Sequence, residues 1–174
     1  MRILRTLALC SLTTAVLLLG SGCSATVTLE AAPDANNPSC ADITVRLPES
    51  LGDGLTLRRT DAQATGAWGD PTAVILRCGV AVPEPTTATC IRADGIDWII
   101  DESDAPNYVF TTYGRDPATE VIINSEQASG EAVLSGLASA IESVPATGGC
   151  VSYEDADSGL DSTESASAQA DTAE

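Results

Sequence analysis

The sequence predicts an α+β fold in which a C-terminal helix packs on a small, mostly antiparallel sheet that disulfides stabilise. Three observations carry this prediction. Asp94-Gly95 lies between two apolar runs and is typical of a two-residue hairpin turn. Ser129 precedes apolar residues at helical spacing. Four cysteines lie between residues 40 and 150, an even number that suits disulfide pairing.

The N-terminus has the layout of a secretory signal peptide. Two arginines precede an uncharged, largely apolar run from Thr6 to Gly20, which is shorter than the roughly 20 residues of a membrane span. The ending Gly20-Ser21-Gly22-Cys23 resembles a bacterial lipobox, although an aliphatic residue is usual in place of the first glycine. We therefore expect a lipoprotein signal peptide at 1–22 and a lipid on Cys23. An ordinary secretory cut near Gly22 or Ala25 is the alternative.

The rest of the chain divides by composition into three parts. Residues 23–39 are rich in Ala, Thr, Pro and Asn without apolar periodicity, so we expect a lipid-anchored flexible tether. Residues 40–150 form the only stretch able to bury a core, and their length suits one folded domain. Residues 151–174 carry seven acidic residues and no arginine, which favours a disordered acidic tail.

The charge restricts the partners. The chain has no Lys and no His, and removal of residues 1–22 lowers its formal net charge from −17 to −19. Such a surface repels nucleic acid, whose binding rests on cationic contacts to phosphate. It also repels anionic headgroups, so acyl chains such as palmitate on Cys23 are expected to hold the protein to the membrane. The expected location is the extracytoplasmic face of the cell membrane.

The first elements of the domain are partly ambiguous. Residues 41–51 fit two periods, because alternating apolar residues favour a strand and an apolar stripe from Cys40 to Leu51 favours a helix. Leu55–Thr60 and Ala73–Val80 are predicted strands, and the segment between them is rich in turn residues.

The second part of the domain is clearer. The Asp94-Gly95 turn sets a register that pairs Ala93 with Ile96, Arg92 with Asp97, Ile91 with Trp98 and Cys90 with Ile99. Residues 108–113 and 118–123 are the predicted strands of a second hairpin. Ser129 is the expected N-cap of the final helix, and Pro145 ends it. The buried stripe of that helix is predicted to be Leu134, Leu137, Ala138 and Ile141.

Cysteine pairing is open among three connectivities. The spacing favours Cys78–Cys90 as a local clasp, with Cys40–Cys150 joining the two ends of the domain. A zinc site with four cysteine ligands is the rival interpretation, but no C-x-x-C spacing of the kind that zinc modules use is present.

The residue types that are missing exclude much enzyme chemistry. Without His there is no Ser-His-Asp or Cys-His nucleophile, and without Lys there is no Schiff base or Walker lysine. Acidic residues crowd the stretch from Asp94 to Asp104, where paired carboxylates can hydrolyse glycosides and Asp101 to Asp104 can be imagined to bind calcium. A hairpin turn, an Arg92–Asp97 pair and a solvated loop explain the same residues. We expect no catalytic residue, no bound metal and no cofactor.

The six arginines of the mature chain all lie in the predicted domain. Several of them can converge with an aromatic ring into a pocket for a phosphate or carboxylate ligand. The alternative is that they neutralise neighbouring acids. The candidate ligand-binding residues are Arg58, Arg59, Arg77, Arg115, Trp68 and Tyr113.

Four motifs, in this order, resemble a family of actinobacterial lipoproteins catalogued as domain of unknown function 3515. They are Ala67-Trp68-Gly69-Asp70-Pro71, Leu76-Arg77-Cys78-Gly79-Val80, Gly95-Ile96-Asp97-Trp98 and Thr112-Tyr113-Gly114-Arg115. The resemblance covers about Cys40 to Cys150 and implies a lipid-anchored extracytoplasmic domain with paired cysteines. It brings no catalytic residues, because none is assigned to the family.

These observations favour a non-enzymatic, membrane-tethered envelope module that binds a ligand or a partner protein. The expected partner is an unidentified envelope protein or an anionic envelope ligand. The alternative is a carboxylate-dependent hydrolase of cell-envelope glycans.

Overall fold

Eight antiparallel strands form one sheet that carries two helices on one face. The computed structural model describes residues 25–151. The signal peptide expected at 1–22, the lipidation expected at Cys23 and nearly all of the acidic tail expected at 151–174 lie outside the described residues. Along the chain, the elements are α1 (Pro38–Thr44), β1 (Ser50–Leu51), β2 (Leu55–Arg58), β3 (Thr65–Trp68), β4 (Val74–Val80), β5 (Cys90–Ala93), β6 (Ile96–Asp101), β7 (Asn107–Thr112), β8 (Ala118–Asn124) and α2 (Gly130–Ile141).

Two four-stranded meanders make up the sheet. The strand order is β1-β2-β3-β4-β8-β7-β6-β5, and every neighbouring pair is antiparallel. The first half is β1 to β4 and the second half is β5 to β8, and the two halves meet where β4 pairs with β8. With α2 packed on the sheet and two disulfides, the α+β prediction is confirmed.

Both predicted hairpins form, and the first has the register that its turn predicts. Cys90 to Ala93 pair with Ile99 to Ile96 as the Asp94-Gly95 turn requires, and both turn residues have positive φ, of 44° and 79°. In the second hairpin Phe110 lies opposite Val121. These contacts are local in sequence, so turn chemistry and alternation were enough to predict them.

The ambiguous residues 41–51 are divided in the structure, because 41–44 belong to α1 whereas Ser50 and Leu51 form β1. Asn37 caps α1 by accepting a hydrogen bond from the Ser39 amide at 3.1 Å, and Pro38 occupies the first turn. Cys40 and Ile43 are buried, whereas Val45 is 78% exposed. This burial pattern agrees with the helical stripe, since the strand alternation would have buried Val45 together with Ile43.

A strand occupies the segment that composition predicted as turns. β3 is only four residues long, and all four of its residues are buried. Gly66 pairs with Leu76 beneath the ring of Trp68, and a Cβ at Gly66 would lie 2.6 Å from that ring. Turn residues on both sides of this short strand concealed it in the sequence.

The final helix has the predicted cap and buried face. The Ser129 hydroxyl accepts from the Ala132 amide at 3.5 Å, and α2 ends at Ile141, before Pro145. The four residues predicted for its buried stripe are all in the core. None of the helices among residues 25–151 is long and apolar enough to cross a membrane.

The folded region begins earlier than composition indicated. Val27 forms a bridge to Thr60, and the Asp34 amide donates to the Gly79 carbonyl at 2.9 Å. Ala32 and Ala35 are buried. Gly79 has a φ of 89°, and a Cβ there would collide with the backbone of Asp34. Residues 27–39 thus pack on the domain, where a flexible tether was expected.

The predicted disulfide pairing was wrong, although the cysteines are paired. Cys40 joins Cys78 with a Cα–Cα distance of 5.5 Å, and Cys90 joins Cys150 at 5.9 Å. β4 and β5 stand four strand spacings apart, which is about 19 Å. A bridge spans at most about 6.8 Å between Cα atoms, so the local clasp between Cys78 and Cys90 cannot form.

Candidate ligand-binding groove

The helices leave part of the sheet's inner face uncovered. Eight strands at about 4.8 Å spacing give a sheet roughly 34 Å across. An α-helix with its side chains is only about 10–12 Å wide. α1 is disulfide-bonded to β4 of the first half, and α2 contacts β8 in the middle of the sheet and both edge strands, β1 and β5. The part of the inner face that the helices leave open is lined by β5 to β8, beside the N-terminal half of α2.

A groove of about 650 Å³ lies along this open strip, between the N-terminal half of α2 and the inner face of β5 to β8. Its apolar lining comes from all five elements and consists of Ile91, Ala93, Ile100, Tyr108, Phe110, Ile123 and Leu134. Its volume falls within the range of small-molecule sites, about 300–1,000 Å³.

The groove floor is incompletely buried. Ile91, Ala93, Ile100 and Tyr108 pack against the core, yet each keeps part of its surface exposed. Below them, the ring of Trp98 meets Phe110 edge to face, with centroids 6.5 Å apart. The floor is thus an apolar surface that solvent reaches.

The rim of the groove is polar and mostly acidic. Asp94 comes from the β5–β6 turn, Glu102 follows β6, and Glu131 lies in the first turn of α2. All three side chains are exposed, and within residues 25–151 no salt bridge joins any of them to an arginine. Ser125 and Ser135 add hydroxyl groups to the same rim.

Arg92 also lines the groove, but Asp97 on the outer face of the sheet holds its guanidinium. The Nε and Nη2 atoms of Arg92 donate to the two Asp97 carboxylate oxygens at 2.7 and 2.9 Å. The Cys150 amide donates to the same carboxylate at 2.9 Å. The Arg92 hydrogen bond, followed by that of Cys150, lowers the pKa of Asp97 against the opposing effect of burial. The predicted Arg92–Asp97 pair is confirmed.

The six candidate ligand-binding residues do not come together, and none of them lines this groove. Trp68 is fully buried on the inner face, where its indole Nε1 donates to the Pro48 carbonyl at 3.0 Å. Tyr113 is half-buried beyond β7, and its amide donates to the Asp97 carbonyl. Both residues therefore have structural positions.

The four candidate arginines are spread over separate places. Arg58 donates to the carbonyls of Gly69 and Ala25, and Arg59 beside it is exposed. Arg77 contacts Glu120 across the outer face of the sheet at 2.6 Å.

Arg115 is the one buried arginine among the residues described. Its Nη1 donates to the Val144 carbonyl. Desolvation lowers its pKa, and the charges of Glu142 and Asp97 oppose that shift. This side chain joins the β7–β8 turn to the segment after α2. It has the position of a structural residue, and the single anion pocket predicted from the sequence does not form.

The acidic stretch from Asp94 to Asp104 is distributed over a turn, a strand and a loop. Asp101 accepts hydrogen bonds from Ser103, which lower its pKa. In the described part of the chain, no three acidic or cysteine side chains are grouped as metal ligands would be.

Sequence reasoning missed the groove because it depends on which strands lie at the sheet edge. The signal that was present is the apolar face of the first hairpin, Ile91 and Ala93 with Trp98. Which part of this face α2 leaves open depends on how the helix packs on the folded sheet.

A family model for proteins of unknown function, DUF3515, matches residues 6–148. No curated protein and no solved structure matches the chain.

Proposed function

Since the chain belongs to the DUF3515 family, whose function is unknown, we propose a function from the groove itself. The protein is a non-enzymatic, lipid-anchored envelope module that binds an apolar ligand between α2 and β5–β8. The observation that carries this proposal is the apolar floor of a groove of about 650 Å³, formed by partly exposed residues such as Ile91 and Ile100. Exposed apolar surface in a concave site is typical of ligand binding.

Binding without catalysis is supported by the side chains present. The chain has neither His nor Lys. Asp97 is the one buried acid among residues 25–151, and Arg92 and the Cys150 amide occupy its carboxylate. A carboxylate held in this way is poorly suited to act as a general acid. No observation favours the glycan hydrolase alternative.

The lipobox-like sequence supports the anchor. The fold indicates which side of the domain a lipid on Cys23 would hold near the bilayer. The Ala25 carbonyl accepts from Arg58 Nη2 at 2.9 Å, and Cys23 precedes Ala25 by two residues, or about 7 Å of extended chain. A lipid on Cys23 would therefore hold the β2 side of the domain close to the bilayer. The groove lies on the other half of the sheet, at least three strand spacings from β2.

The anchor is tested by Cys23→Ala. The variant is expected to leave the membrane fraction or to keep its signal peptide, because the acyl chains that hold the protein to the bilayer would be absent. Fractionation and intact mass of the purified protein are the measurements. A variant that fractionates and migrates like the wild type would contradict the anchor.

Groove binding is tested with N-phenyl-1-naphthylamine, a neutral apolar fluorophore. Titration into the wild-type domain is expected to give saturable fluorescence enhancement with one site per chain. Enhancement that is absent or fails to saturate would contradict the proposed function.

A further inference from the structure

We propose that the ligand of this groove is a cationic amphiphile, an aliphatic chain that ends in an amine. This inference rests on the proposed binding function and specifies the chemistry of its ligand. It comes from the combination of an apolar floor with a rim whose unpaired charges are all negative.

The rim charges come from three separate elements that the fold brings to one opening. Asp94 lies in the β5–β6 turn, Glu102 lies beyond the other end of β6, and Glu131 lies on α2. Each carboxylate is exposed and forms no salt bridge with the rest of the described chain. A ligand ammonium at the rim can meet any of them.

The one arginine at the groove does not offset this charge. Arg92 forms a two-point contact with Asp97, whose side chain is 6% exposed. The pair is close to neutral as a unit, and its carboxylate lies on the opposite face of the sheet from the groove floor. An anionic amphiphile such as a fatty acid would meet three carboxylates at the rim without a matching cation.

The groove fits both parts of such a ligand. Aliphatic and aromatic side chains form the floor, which suits a hydrocarbon chain. An ammonium has three donors, and the rim supplies acceptors in its carboxylates and in the hydroxyls of Ser125 and Ser135. The net charge of −17 on the full chain also draws cations toward the protein and repels anions.

The test uses three ten-carbon probes that differ only in their head groups: decylammonium, 1-decanol and decanoate. Each competes with N-phenyl-1-naphthylamine on the wild-type protein, below the concentration at which the probes aggregate. Decylammonium is expected to displace the fluorophore at a concentration about tenfold lower than decanoate, with decanol between them. Raising the ionic strength from about 0.01 M to about 1 M should narrow this difference, because salt screens exposed charges.

Two triple variants with the same change in net charge provide the control. Asp94→Asn, Glu102→Gln and Glu131→Gln together remove the rim charges, and Asn suits the φ of 44° at residue 94. Glu30→Gln, Glu49→Gln and Glu84→Gln together remove three exposed charges outside the groove. The rim variant should lose its preference for the amine, and the control variant should keep it.

The outcomes separate this inference from the function on which it rests. If decylammonium and decanoate displace the fluorophore equally, the ligand is not selected for positive charge. The same holds if both triple variants lose the preference for decylammonium. Either result would overturn this inference without contradicting apolar binding in the groove. If none of the three probes displaces the fluorophore, the inference that the ligand is an aliphatic amine would be overturned. Absence of fluorophore binding to the wild type would overturn the proposed function and this inference with it.

Discussion

The two halves of the sheet share one topology and differ in how their inner faces are covered. In the first half, Trp68, Val74 and Leu76 are fully buried, and α1 is attached over them by a disulfide whose cysteines have no exposed surface. In the second half, Ile91 and Ile100 keep part of their surface exposed at the groove. The core is thus closed over β3 and β4, whereas the inner face of β5 and β6 contributes to an open groove.

The difference follows from where the helices attach. Cys40 on α1 is bound to Cys78 on β4, so the short helix covers the first half alone. The disulfide of the second half lies elsewhere: Cys90 is on the outer side of β5, and its bond to Cys150 closes the outer face. Neither disulfide lies over the groove, which stays open between the N-terminal half of α2 and β5 to β8.

The largest expected difference between the halves is the rate at which their disulfides are reduced. In the chain-entropy model, either bridge stabilises the fold by about 4 kcal/mol, because the closed loops are of similar length. Their accessibility differs, since Cys40 and Cys78 are fully buried and Cys90 and Cys150 are half-buried. Dithiothreitol under native conditions should therefore reduce Cys90–Cys150 first.

A time course of thiol alkylation with peptide mapping measures this order of reduction. In denaturant both disulfides should be reduced at similar rates, which serves as the control. Earlier reduction of the buried disulfide in the native protein would contradict the comparison.

Truncation of one aliphatic residue in each half gives the next largest difference. Leu76→Ala leaves a cavity in the closed core and should lower the free energy of unfolding by about 2–5 kcal/mol. Ile100→Ala removes side-chain atoms that already face the groove, so the expected loss is about 1 kcal/mol. Urea denaturation of both variants measures the two losses. Equal losses would show that the second half is as closed as the first.

Asp97 stabilises the closed outer face of the second half. Asp97→Ala should lower the free energy of unfolding by about 2 kcal/mol, because the Cys150 amide and the mostly exposed Arg92 lose their acceptor. The comparison variant is Asp101→Ala, whose exposed carboxylate accepts from Ser103 two residues further on and should matter little. Chemical denaturation compares both variants with the wild type.

The pH dependence of Asp97 has a defined sign. Its pKa is lowered in the folded protein, so its contribution is fully present above the unfolded carboxyl pKa of about 4. The contribution is lost as the pH falls through the folded value. Wild-type stability should therefore decline more steeply than that of Asp97→Ala below about pH 4. Parallel declines would contradict this role.

Local chemistry explains which parts of the fold were predictable. The Asp94-Gly95 turn determines its hairpin register, and Ser129 with its apolar stripe determines α2, because each signal lies within one element. The pairing of Cys78 was not predictable in this way, since it depends on the strand order and on the face to which the side chain points. The contacts of residues 27–39 depend on Gly79, which is distant in the sequence.

The candidate site was missed for the same reason. Arginines were the conspicuous chemical groups in an acidic sequence, yet Arg77 and Arg115 have separate partners in the fold. The groove consists of ordinary aliphatic residues that become notable only when the sheet leaves them uncovered.

The central claim, that this groove binds an apolar ligand, is tested most directly by filling it. Ser135 is exposed on α2 and lines the groove, whereas Ser139, one turn further on, is exposed and lies outside it. Ser135→Trp should weaken binding of N-phenyl-1-naphthylamine at least about tenfold, or about 1.4 kcal/mol, because the indole occupies the site. Ser139→Trp should bind like the wild type, with both variants melting at similar temperatures. Wild-type affinity in a folded Ser135→Trp variant would contradict the account.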